Sequence, residues 1–430
     1  MAEFPPFVQA PRPRALPALT GLRFVAALSV VAAHGASAMQ QAGAGYDLSA
    51  HLVGLTRFGM TLFFVLSGFV IHYNYCTTII NRKIAGTGRF ILARIARLYP
   101  LFALVCLVDF LFGHRLAEYV QGQPDALDPI GYALPYFLSM TQSWFPRDPE
   151  GHPLMRDWGV NTSLTWSIST EWFFYLVYPL VAVIIHRLRH AQFAIALVLA
   201  WCVLSLIVVG RAESWHAVLA NYEWFIYESP YLRMSEFVLG VLVAQLYLII
   251  ADRKPGLGEA WAGSVVGWLT IIGAAVEIAL LNHAAAAGRV PMSLTLTFGY
   301  APLCALLIFC TTRYDNWLAR CFSRPLIITL GDASYSQYLL HTYVMQLLIA
   351  IAVMFYPPLP PSATGPLVIP VCMIKLAAAV ILVFVVSVGS YKFFESPARQ
   401  WVRRLPQSLF RWPASRNRTD SDNGAARRRH

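Results

Sequence analysis

The sequence predicts an all-α fold, a polytopic membrane bundle of about ten transmembrane helices with both termini in the cytoplasm. Hydrophobic residues make up 57% of the chain and charged residues only 13%. Apolar runs about twenty residues long recur along it, the length a helix needs to cross a hydrocarbon core about 30 Å thick. A soluble domain would break such runs with amphipathic periodicity, and a membrane β-barrel would show short alternating segments.

The first 18 residues form a Pro-rich, weakly basic leader that reads as cytoplasmic and uncleaved, because the run after it is too long for a secretory signal. Ten spans follow, at residues 19–39, 58–80, 95–113, 164–186, 191–210, 229–250, 263–282, 293–311, 328–356 and 366–390. Of the 33 Lys and Arg, 24 fall in segments inside this topology, counting Arg97 at the start of the third span with its loop, 6 outside and 3 deeper within spans (Arg23, Arg233, Lys375). The contrast is still 14 against 6 without the tail, as positive-inside topology requires. The same rule accounts for the net charge of +11 without nucleic acid.

The longest outside loop, residues 114–160, has an apolar middle from Ile130 to Phe145 that reads as part of a lid or acceptor surface, or as a solvated connector. Residues 19–400 form one membrane domain, and 401–430 a basic tail expected to be disordered. Seven cysteines without a C-x-x-C pair indicate neither a disulfide framework nor a zinc site, and no metal is expected.

Four constellations carry possible chemistry. The first span, LTGLRFVAALSVVAAHGASAM, holds Arg23 and His34. Eleven residues turn an α-helix three times and roughly 20° more, so both side chains share one face about 16 Å apart along the axis. Ionisable groups in a span normally face a bundle interior or wet cavity. His34 is a candidate general base there, or a packing histidine. Arg94 and Arg97, at i and i+3 on the inner edge, can hold a phosphate group, or simply obey the charge rule. Glu171 enters the fourth span in TWSISTEWFFYLVYP and can orient the imidazole, or hydrogen-bond Ser167 or Tyr175. In GDASYSQYLLHTYV, Tyr338 and His341 are expected, with Ser167, to line a polar cavity. His72, Asp109, Arg233, Glu236, Glu277 and Lys375 receive no role beyond pairing with one another.

LTGLRFVAALSVVAAHG, RFGMTLFFVLSGFVI, ARIARLYP, TWSISTEWFFYLVYP and GDASYSQYLLH follow one another from residue 19 to about 400, and together they resemble the successive signatures of the membrane-bound acyltransferase 3 family. The resemblance implies an O-acyltransferase that moves an acyl group, commonly acetyl from acetyl-CoA, onto a hydroxyl of a carbohydrate or glycolipid. It implies importance for Arg23 and His34, a link of Arg94 and Arg97 to the CoA donor, and correspondence of Glu171 to the family glutamate. Thr20, Ala93 and Trp172 depart from the family pattern, and Thr20 leaves Arg23 without one carboxylate partner. The hydrolase domain that some members carry after the membrane domain is not expected here.

The mechanism this implies docks acyl-CoA, as co-substrate and not resident cofactor, on Arg94 and Arg97. Its arm runs past Arg23 to His34, which deprotonates the acceptor with Glu171 supporting the imidazolium. The expected location is a bacterial inner membrane, crossed many times. A proton-coupled transporter using the same buried Arg, His and Glu as a relay suits ten spans equally well.

Overall fold

The protein, seen in a computed structural model, is described over residues 15–41, 48–113, 129–155, 162–216, 219, 221–355 and 368–409. Helix α1 (Pro17–Gln41) runs unbroken, so the register that stacks Arg23 beneath His34 holds along its length. Helix α2 (Ser49–Val108) is 60 residues long and carries the second and third predicted spans on either side of a kink at Lys83, where φ is 46° and ψ is −121°. Gly86 permits that reversal, since a Cβ there would lie 2.2 Å from the Thr78 carbonyl oxygen.

The bundle continues with α3 (Trp166–Ile185), α4 (Ala191–Ala212), α5 (Pro230–Ile250), α6 (Leu257–Ala286), α7 (Ala301–Arg313), α8 (Pro325–Asp332), α9 (Ser334–Phe355), α10 (Val368–Ser390) and α11 (Ser396–Leu409). Eight helices among the described residues are long and apolar enough to cross a membrane, one of them the 62-residue stretch that holds two predicted spans. The eighth predicted span is two pieces, Met292–Leu296 and α7, divided near Phe298, whose φ is +69°. The ninth is likewise divided, into α8 and α9 at Ala333.

Helix α1 packs against α2, α8, α9 and α10, and α2 packs against α5, so α1, α2 and α5 form the centre. The stretch Trp224–Ile250 buries 61% of its most apolar window, whereas Ala191–Trp215 and Leu257–Leu281 bury only 17% and present Phe193, Leu199 and Leu269 outward as a lipid face. At the α2–α5 crossing a Cβ on Gly68 would lie 2.0 Å from the Phe237 carbonyl oxygen, and one on Gly240 would lie 2.0 Å from that of Val65. Two glycines therefore bring the backbones into contact, as small residues do in membrane bundles.

The described part of the loop expected outside packs onto the bundle. Phe137, Gln142 and Ser143 are fully buried. Ser143 Oγ bonds Ser169 Oγ at 2.9 Å, and the Trp144 indole donates to the Ser169 carbonyl at 3.1 Å, so this segment is docked on the start of α3. Helix α11 crosses the expected domain boundary at 400/401, and residues 410–430 of the expected tail, like 1–14 of the leader, lie outside the described residues. The seven cysteines are free thiols.

Candidate active site

Two cavities meet along α1. The inner one, about 60 Å³, is lined by Arg23, Arg97, Glu171, Ser67, Ser167 and Tyr338 among others. It has room for a few waters or one small polar group, since about 10–15 Å³ of such space holds one water. Arg23 and Arg97 make no hydrogen bond or ion pair with any described residue. The Glu171 carboxylate accepts from Ser67 Oγ at 2.8 Å and from the Tyr175 hydroxyl. Two guanidiniums and a carboxylate thus share a space without closing on one another, an arrangement suited to an anionic or strongly polar group.

Arg94 and Arg97 are not equivalent. The three-residue step rotates a helix by 300°, leaving side chains 60° apart. Arg94 is buried, donates to the Tyr75 hydroxyl at 2.9 Å and lies 4.9, 5.9 and 5.6 Å from the ring centres of Tyr75, Phe90 and Tyr175. Its stacking fixes the arm from which Arg97 reaches the cavity.

The outer cavity, about 230 Å³, contains His34 together with Thr56, Ser163, Trp166 and Tyr227. It shares Met60 and Tyr338 with the inner cavity. It also shares Tyr227 and Glu228 with a vestibule of about 740 Å³ formed by Arg147, Met155, Tyr222, Glu223 and Trp224. The three spaces lie in series, and Tyr338 forms part of the partition between the inner two. That tyrosine accepts from Ser167 Oγ at 2.7 Å and donates to the Leu164 carbonyl at 2.6 Å.

The geometry corrects one expected contact. Glu171 does not orient His34, because its carboxylate is engaged at the inner cavity by Ser67 and Tyr175. The group against His34 is His341, whose Nε2 lies 2.8 Å from His34 Nδ1. His341 is fully buried behind His34 and is not among the residues lining either cavity, whereas Ser167 and Tyr338 line the inner one as expected.

Of the intramembrane ionisable groups without a sequence-level role, His72, Asp109, Arg233 and Glu236 find local partners, whereas Glu277 Oε2 is buried and bonds no described residue. Arg233 and Glu236 pair at 3.1 Å with no exposure on either side chain. Glu236 Oε1 also accepts from Thr61 at 2.8 Å and from the Phe298 amide at 2.9 Å, and Arg233 Nε donates to the Tyr227 carbonyl at 2.9 Å. This network pins Tyr227, which lines both outer spaces. Its desolvated charges are stable only as a complete set. His72 bonds Gln245 at 2.8 Å, and Asp109 accepts from Tyr343 at 2.6 Å. The segment NYEWFIYE, residues 221–228, was the site element not singled out from sequence; its alternation of aromatic and acidic residues just before a span is the signal that marks it.

The sequence from residue 16 to residue 390 matches a family described as an acyltransferase domain. Acyltransferase MdmB of Streptomyces mycarofaciens is 28% identical over 352 residues, covering 78% of this chain and 80% of that protein. O-acetyltransferase OatA of Staphylococcus aureus (strain NCTC 8325 / PS 47) is 23% identical over 401 residues, covering 90% of this chain and 58% of that protein. No solved structure matches.

Proposed function

The chain belongs to the acyltransferase 3 family of membrane acyltransferases, and on that premise we propose that it transfers an acyl group, acetyl in the simplest case, from acyl-CoA to a hydroxyl of a carbohydrate or glycolipid. The donor's anionic head approaches from the cytoplasmic side, the thioester end enters the inner cavity past Arg97 and Arg23, and Arg94 holds the supporting wall. Glu171 balances the two guanidiniums and acts on the chemistry through them. The acceptor enters through the vestibule, and His34 takes its proton as general base. The location we propose is a bacterial plasma membrane, with both termini in the cytoplasm and the vestibule outside, as the 24-to-6 distribution of Lys and Arg favours. The similarity to OatA, an O-acetyltransferase, favours acetyl and a hydroxyl acceptor.

The observation that carries this reading is the pair of unpartnered guanidiniums, Arg23 and Arg97, in a cavity that shares Met60 and Tyr338 with the one that holds His34. A charged side chain in a span costs about 2.5–3.5 kcal/mol on insertion scales, so two left unpaired make sense as a site for an incoming partner. The test is release of CoA thiol by purified protein in lipid nanodiscs, given acetyl-CoA and a soluble glycan acceptor. Acceptor-dependent thiol release is the expected result. No release with any acyl-CoA, together with proton-coupled solute flux in vesicles, would contradict transfer in favour of transport.

A further inference from the structure

The two imidazoles at the outer cavity fix each other's protons. His341 Nδ1 lies 2.7 Å from the Tyr338 carbonyl oxygen and 3.2 Å from that of Gln337. A carbonyl oxygen only accepts, so Nδ1 carries the hydrogen and Nε2 of the neutral ring is a lone pair. That lone pair faces His34 Nδ1 at 2.8 Å, so His34 must donate from Nδ1. In the neutral ring His34 Nε2 is then the basic atom. It has no hydrogen-bond partner among the described residues, and its ring opens onto the cavity of about 230 Å³.

The ring geometry supports a strong, straight bond. The centroids are 5.1 Å apart with planes 15° from parallel. The 2.8 Å contact plus one ring radius at each end accounts for that separation, so the rings lie end to end in nearly one plane instead of face to face. The N–H of one therefore points along the lone pair of the other, the alignment hydrogen bonds prefer. His341 itself has no exposed surface, and its backbone-anchored Nδ1 prevents the ring from flipping.

From this geometry we infer that His341 is the positioning residue of the outer site: it holds His34 in the Nδ1-protonated tautomer, aims Nε2 at the acceptor hydroxyl and, through the Nδ1–H bond, stabilises the positive charge His34 gains when Nε2 is protonated. The inference rests on the acyl-transfer reading and deepens it. In the step, the hydroxyl proton passes to His34 Nε2 while the hydroxyl oxygen bonds the thioester carbonyl carbon. The carbon–sulfur bond then breaks, and the thiolate takes the proton back from His34. Hydroxyl and thioester become ester and thiol, and the pair returns to its neutral state. While His34 is cationic, its Nδ1–H to His341 bond becomes charge-assisted, the role a carboxylate plays in hydrolase triads.

Two substitutions of similar polarity separate this role from packing. His341→Gln can present its amide oxygen near the position of Nε2 and still accept from His34. His341→Asn can reach only the position of Nδ1, so it keeps a donor for the Tyr338 carbonyl and abandons His34. Thiol release is measured in nanodiscs alongside thermal unfolding. The expected result is a kcat about 10²-fold lower for Asn, with donor and acceptor KM within twofold of wild type, and retention of a tenth or more of wild-type kcat for Gln. Equal kcat for wild type, Asn and Gln would overturn the inference. So would equal losses in Asn and Gln tracking a common drop in unfolding temperature. His34→Ala in the same assay tells the failures apart. If it is inactive while Asn and Gln match wild type, only the positioning role falls; if it is fully active, the general-base reading falls too.

Discussion

The two ends of α1 solve opposite problems. At the inner end Arg23 and Arg97 stand in a small cavity with Glu171 nearby, yet the three charges make no ion pair with one another. At the outer end the two buried imidazoles, His34 and His341, complete each other at 2.8 Å. A buried charge without a partner is expensive and a bonded neutral imidazole is not. Under the proposed function this difference divides the work, the inner end receiving the donor's charge and the outer end moving a proton.

Substitutions can break or sharpen that contrast. The largest effect is expected from His34→Ala, a fall in kcat of about 10³-fold with donor KM unmoved, read by steady-state thiol release. A large change in donor KM would erase the distinction between the ends. Arg97→Ala should do the reverse, raising donor KM roughly 10–100-fold through loss of about 1.5–3 kcal/mol of charged hydrogen bonding. Arg97→Lys should recover only part, because an ammonium cannot reproduce the two-pronged guanidinium contact.

Glu171→Gln preserves shape but removes the carboxylate's charge from beside two guanidiniums. Without donor it should lower stability by about 1 kcal/mol, roughly the difference between a charged and a neutral acceptor. Added CoA should restore the unfolding temperature, which a thermal-shift series in detergent would follow. The smallest effect belongs to Ser67→Ala, which removes one of the two hydrogen bonds to Glu171. A loss of about 0.5–1 kcal/mol, visible by the same method, is expected.

Much of this arrangement was legible in the sequence because it is local. The eleven-residue spacing stacks Arg23 and His34 on one face of any uninterrupted helix, and α1 is uninterrupted. The alternation of apolar runs and basic loops marked the bundle itself. Long-range geometry was not legible. His341 lies 307 residues from His34, and nothing in helical periodicity says that the two rings meet. The carboxylate of Glu171 was expected beside the imidazole or bonded to Ser167 or Tyr175, and only the placement of Ser67 and Tyr175 assigns it to the inner cavity. Arg94 and Arg97 shared a face by spacing, but 60° of rotation in a packed bundle is enough to send one among aromatic rings and the other to a cavity. The breaks at Lys83 and Phe298 were hidden for a related reason, since tight approaches at Gly86 and Gly299 depend on which backbones they face.

Binding without turnover isolates the two ends cleanly. Equilibrium titration of purified protein in nanodiscs with CoA, on wild type, Arg97→Ala and His34→Ala, should give a Kd roughly 10–100-fold weaker for Arg97→Ala. His34→Ala should bind CoA as tightly as wild type while releasing thiol from acetyl-CoA about 10³-fold more slowly. If His34→Ala weakened CoA binding as much as Arg97→Ala does, or if Arg97→Ala bound CoA like wild type, the division between a charge-binding inner end and a proton-moving outer end would be wrong.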